Sequence, residues 1–146
     1  MTMKKPRIAI VKSLYRPDIV DQLAAGAIAV LAEAGVEYEV FEVGGSLEIP
    51  AAVEMLCEDG KGWEGFVVLG CVLKGDTIHD QVIAYTVFPA LDEIARRRLL
   101  PLGNGVLTVN DLQQAEERAN PARQNRGGEA ARAMLHMYKI RYGVKV

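Results

Sequence analysis

The stretch Gly75-Asp76-Thr77-Ile78-His79 combines a glycine turn with a histidine, the residue types best suited to chemistry in this sequence. A glycine turn that opens a helix leaves backbone N–H groups unpaired, and with the helix dipole behind them they attract an anion. Asp76 would repel a phosphate if it pointed inward, so its carboxylate is expected to turn away or to cap the helix. Thr77 can add a hydroxyl donor. His79 falls in the first turn, where the positive end of the dipole favours the neutral imidazole. A neutral imidazole beside a bound phosphate can shuttle protons near neutral pH. A histidine bonded for structural reasons satisfies the same spacing, but a place at a strand end beside an anion turn favours function. His136, in the Ala- and Met-rich last helix, reads as structural.

Other strand ends carry weaker signals. Lys12-Ser13-Leu14-Tyr15-Arg16-Pro17 is neither a G-x-G-x-x-G pyrophosphate loop nor a Ser/Thr/Gly-rich phosphate loop. Tyr15 can stack on a flat heterocycle or simply pack over the core edge. In Gly44-Gly45-Ser46-Leu47-Glu48 the glycines let backbone amides approach a ligand, while Glu48 suits a helix start whether or not it binds anything. Cys71 would be a nucleophile if a histidine activated it, yet it lies in an apolar run, where a free thiol behaves as a small hydrophobe. Arg118, Arg123 and Arg126 are either a solvated face or partners for a phosphate. Spacing does not choose between these.

The elements that must position these residues alternate. Arg7–Val11 is a short apolar run after Pro6 and reads as a buried first strand. From Asp18, apolar residues recur at helical spacing until Gly35, and Val36–Val43 makes a second strand. Pro50–Leu56 is a helix with proline in its first turn. Gly65–Val72 is the most continuous apolar run and so a central strand. A long helix is predicted over Thr77–Arg98, with Val82, Ile83, Val87, Leu91 and Ile94 inward. Gly103–Val109 is a fourth strand; Asp111 caps a helix to Ala119, and a last helix covers Gly128–Tyr142. This order predicts a four-stranded parallel sheet with helices on both faces, whose ligands collect beyond the carboxyl ends of the strands.

The totals narrow the function. With 146 residues, the chain is expected to form one domain over 1–146. A net charge of −2 argues against a general nucleic-acid binder. No apolar stretch approaches the roughly 20 residues that span a bilayer, and no signal-peptide core precedes the first strand. Cys57 and Cys71 suggest neither a disulfide framework nor a metal cluster, so a cytoplasmic location is expected.

The ordered set Gly45-Ser46-Leu47-Glu48-Ile49-Pro50, Gly70-Cys71-Val72-Leu73-Lys74-Gly75-Asp76-Thr77-Ile78-His79 and Gly105-Val106-Leu107-Thr108 resembles the 6,7-dimethyl-8-ribityllumazine synthases. The resemblance runs from about Arg7 to Tyr142. It implies a flavodoxin-like three-layer α/β/α sandwich and the penultimate step of riboflavin synthesis. In that step 5-amino-6-(D-ribitylamino)pyrimidine-2,4-dione condenses with 3,4-dihydroxy-2-butanone 4-phosphate, without cofactor or metal. The resemblance further implies sites shared between neighbours in a pentamer, with a riboflavin synthase as a candidate partner. By position, Tyr15 stacks on the pyrimidine; Ser46, Leu47 and Glu48 contact the pyrimidine and ribityl chain; and Val72 and Leu73 offer backbone contacts. Asp76 and Thr77 match the phosphate turn, His79 the proton-transfer histidine, and Arg118 the phosphate-binding arginine of the adjacent subunit. Asn104 stands where many members place a phenylalanine, Arg126 replaces a frequent lysine, Leu14 a common arginine and Ile78 a common proline. An archaeal-type riboflavin synthase, a non-catalytic lumazine or flavin carrier and a Cys71-dependent hydrolase are the competing expectations. Because only Met1 to Pro6 precede the first strand, isolated pentamers are expected over larger shells, with the last helix supplying an apolar subunit face.

Overall fold

The computed structural model describes residues 5–143. The segment before the first strand that bears on assembly, Met1 to Pro6, therefore falls largely outside the described residues. Four strands, β1 (Arg7–Ser13), β2 (Glu37–Val43), β3 (Gly65–Leu73) and β4 (Leu102–Val109), form one sheet in the order β2-β1-β3-β4. All three pairings are parallel. Among the described residues the α-helices are α1 (Pro17–Glu33), α2 (Ile49–Cys57), α3 (His79–Arg98), α4 (Leu112–Ala119) and α5 (Arg126–Tyr142).

Strand alternation divides the core into two layers. Ile8 and Ile10 of β1, Val67, Leu69 and Cys71 of β3, and Leu107 and Val109 of β4 face α1, α4 and α5. Ala9 and Val11, Phe66, Val68 and Val72, and Val106 face α2 and α3. Helices thus cover both faces, in a flavodoxin-like α/β/α arrangement. β4 meets α5 so closely that a side chain at Gly103 would run into the Ala130 carbonyl.

Several element boundaries differ from those predicted. α3 begins at His79, not Thr77: Ile78, at the N-cap, has φ −86° and ψ 11°, and the Thr77 hydroxyl accepts the His79 amide N–H (3.3 Å). Asp76 does not cap this helix. α5 begins at Arg126, not Gly128, because Asn125 turns into the left-handed region (φ 50°) and its side chain accepts the Gly128 amide. Ser46–Glu48 forms a single 3₁₀ turn that periodicity does not reveal. Val87, Leu91 and Ile94 of α3 are buried as expected, but Val82 is exposed (54%). With Ile78 and Tyr85 it makes an outward apolar stripe, on the side of α3 away from the sheet and α2. On α5, Met134 belongs to the chain's own core, and Met137 and Ile140 are exposed.

Candidate active site

In a doubly wound sheet the strand order reverses at one point, where the connections leaving the two flanking strands diverge and open a crevice. Here β1 leads outward to β2 on one side and β3 to β4 on the other. A cavity of about 340 Å³ lies at this end of the sheet. Tyr15, following β1, borders it, as do Gly44–Glu48 after β2, Cys71–Leu73 at the end of β3, and His79 and Ile83 on α3. Its size suits a small organic ligand.

Each wall has a local cause. The exposed ring of Tyr15 sits just before Arg16, whose backbone is left-handed (φ 57°) and turns the chain sharply into α1. Glu48 leaves the helix N-terminus uncapped; its carboxylate instead curls back over Gly44 and Gly45, where a side chain would crowd Oε1 at 3.3–3.4 Å. Gly70 keeps β3 bare beneath this loop, since a Cβ there would come within 2.6 Å of the Ser46 hydroxyl oxygen. Ser46 is buried, whereas Leu47 and Glu48 are exposed at the rim. Val72 is buried and Leu73 half-buried at the strand end.

His79 is held from two sides. Thr77 Oγ1 lies 2.8 Å from Nδ1 and accepts the His79 amide. The imidazole rests over Gly75: a Cβ on that glycine would stand 2.7 Å from Cε1. Asp76 is exposed and forms no hydrogen bond with another described residue. Burial pushes the Cys71 thiol up to about 11, with Arg16 pulling weakly the other way, so the thiolate is scarce at neutral pH. A scarce thiolate in a buried site weighs against a Cys71 nucleophile.

Asn104, Arg118 and Arg126 do not line this cavity. They border a separate hollow of about 400 Å³ along β4, α4 and α5, together with Thr108 and Glu129. Arg123 pairs with Glu117 and Arg126 with Glu129 (2.8 Å), but Arg118 has no carboxylate within ion-pair distance among the described residues. A half-buried guanidinium without a counter-ion is a ready anion partner. The Asn104 side chain accepts the Val106 amide (2.9 Å) on its own strand. The one-chain structure thus brings Tyr15, Ser46–Glu48, Val72, Leu73 and His79 together and leaves the arginines elsewhere. Cys71, which the motif includes without a contact role, and Ile83, which no motif included, are also walls; Ile83 carried the signal of an inward helical position. Among the described residues no three His, Cys, Asp or Glu side chains group closely enough to hold a metal ion. No described helix is long and apolar enough to cross a membrane.

Comparison with known proteins adds a family to this geometry. The family model described as 6,7-dimethyl-8-ribityllumazine synthase matches residues 5–141. A protein of that name from Nitrobacter hamburgensis is 44% identical over 139 residues, covering 92% of this chain and 85% of its own length. One from Agrobacterium fabrum is 41% identical over 143 residues, covering 95% and 97%. Another, from Bartonella tribocorum, is 38% identical over 138 residues, covering 94% and 91%.

Proposed function

This chain belongs to the 6,7-dimethyl-8-ribityllumazine synthase family, and from that membership we propose that it makes the lumazine from the pyrimidinedione and the butanone phosphate. The observation that carries the reading is the cavity at the reversal of strand order, with an aromatic ring, a carboxylate and an imidazole on its walls. Tyr15 stacks on the pyrimidine, Val72 and Leu73 offer it backbone groups, and Ser46, Leu47 and Glu48 hold the ribityl side. The phosphate occupies the turn at Asp76 and Thr77.

The chemistry asks for little more. The pyrimidine amine attacks the ketone, loses a proton, and the carbinolamine expels water. Phosphate then leaves as a proton is taken from carbon, and ring closure releases a second water. His79 moves the protons, and a cation beside the turn stabilises the departing phosphate. Holding the two substrates side by side supplies much of the acceleration.

The cation is Arg118, with Arg126 beside it, donated by a second copy of the chain. Two features support this: Arg118 lines another hollow of its own chain without a counter-ion, and α3 carries an exposed stripe of Ile78, Val82 and Tyr85 that a second copy would cover. A cyclic pentamer in the cytoplasm, with a riboflavin synthase consuming the product, completes the proposal. Light scattering that gives a monomer would remove the shared site; a much larger particle would replace the pentamer with a shell.

Mixing the protein with both substrates and following lumazine fluorescence tests the reading directly. Product formation supports it, and a tight complex without product would identify a carrier instead. Conversion of lumazine alone to riboflavin would identify a riboflavin synthase.

A further inference from the structure

The contact between Thr77 and His79 joins a hydroxyl to a ring nitrogen and can be bonded in either direction. Oγ1 of Thr77 accepts the His79 amide N–H at 3.3 Å, and the same atom lies 2.8 Å from Nδ1 of the ring. The exposed hydroxyl either donates to Nδ1, leaving the neutral ring its proton on Nε2, or accepts from Nδ1–H through its second lone pair while water takes its proton. Gly75 makes this pose available: the imidazole lies where a Cβ would come within 2.7 Å of Cε1, so the ring is pressed against bare backbone and kept within reach of Oγ1.

We infer that Thr77 is a positioning residue: its hydroxyl donates to Nδ1 in the free site, which fixes the Nε2–H tautomer of His79, and it resets that tautomer when a phosphate monoester enters the turn. The inference rests on the proposed function, which places the substrate phosphate at Asp76 and Thr77. A phosphate oxygen is a stronger acceptor than an imidazole nitrogen, so the Thr77 hydroxyl turns its proton to the ligand. Its second lone pair, no longer held away from the ring by the donated proton, then accepts from Nδ1–H. The ring gives its Nε2 proton to solvent and takes one from solvent at Nδ1, with no net change in protonation. The Nε2 lone pair is thereby exposed as the base for abstracting a proton from carbon. His79 acts as a base only while phosphate fills the turn, so proton transfer is tied to the presence of the second substrate.

The ring nitrogens report the tautomer directly. The sequence contains two histidines, so His136→Gln leaves His79 as the one imidazole to observe. Nitrogen-15 NMR of the intact protein, at a pH where the spectrum shows a single ring proton, is run without and with inorganic phosphate. The expected result is a protonated Nε2 without phosphate and a protonated Nδ1 with it, the two resonances exchanging character. Thr77→Val should abolish the exchange, and Thr77→Ser should restore it. A ring already protonated on Nδ1 without phosphate, a tautomer unmoved by phosphate, or a Thr77→Val ring that switches like wild type would each overturn the inference. The readout needs no turnover. An unmoved ring in a protein that makes lumazine sinks the switch and spares the function, whereas a switching ring in a protein that makes none does the reverse.

Discussion

The cavity beyond β1, β2 and β3 and the hollow beside β4 are made of different materials. The first is walled by the ends of β1 and β3, whose interiors are buried on both faces, and by the loop that follows the exposed edge strand β2. It offers an aromatic ring, apolar walls and an imidazole, but no cation among its lining residues. The second lies along an edge strand and two surface helices, and it offers two arginines with little enclosure. In the proposed two-copy site, one half binds and orients and the other neutralises charge. Neither alone suits a reaction between a flat heterocycle and a phosphate ester.

The sharpest way to break this contrast is to remove its charge. Arg118→Ser should lower kcat/KM about 10²–10³-fold while leaving the fold intact, the usual loss when a donor to developing negative charge disappears. A change of less than about tenfold in steady-state rates would show that Arg118 is an ordinary surface residue. Next is the scaffold of the same half. Gly103→Ala forces a side chain against the Ala130 carbonyl and should cost about 2–3 kcal/mol in denaturant unfolding. An unchanged midpoint would mean that α5 can shift away from β4.

In the other half, His79→Ala should slow turnover about 10–100-fold without abolishing it, because substrate positioning survives. Its rate should also lose the pH dependence that the wild type shows; identical profiles would remove the acid–base role. Co-expressing the Arg118→Ser and His79→Ala chains joins the two halves in one test. In mixed oligomers some interfaces carry an intact cavity facing an intact arginine, so activity should rise above that of either variant alone. Absence of recovery in assemblies shown to be mixed would place both residues in one chain's site.

The smallest expected effect concerns the staple that ties α2 to α3 behind the cavity. Arg98 and Arg97 bond Glu54 and hold its carboxyl below the ordinary carboxylate range. A lowered value means that the stabilisation is full above the ordinary range and is lost as pH falls through the lowered value. Glu54→Gln should therefore cost at most about 1 kcal/mol at neutral pH, the scale of a solvent-exposed pair. The gap from wild type should close toward acid pH in thermal melts; a gap that widens there would reverse the assignment.

The sequence alone determined the layers and much of the cavity. Continuous apolar runs in Ile8–Val11 and Phe66–Leu69 belong to strands buried on both faces, and the helical spacing of Val87, Leu91 and Ile94 was enough to name their inward side. Glycines before Glu48 and His79 marked turns where bare backbone makes room for the Glu48 carboxylate and the His79 ring. What spacing did not reach was anything set by contacts distant in sequence or by one backbone angle. The outward turn of Val82, the 3₁₀ turn at Ser46–Glu48 and the start of α3 at His79 depend on which surface α3 meets and on how Ile78 bends. Above all, one charge series running from Arg118 to Arg126 read equally as solvated surface or as phosphate ligand. Only the tertiary structure decided that these arginines lie apart from His79 in the same chain, because the β4, α4 and α5 packing that carries them is a separate surface from the sheet's strand-order reversal.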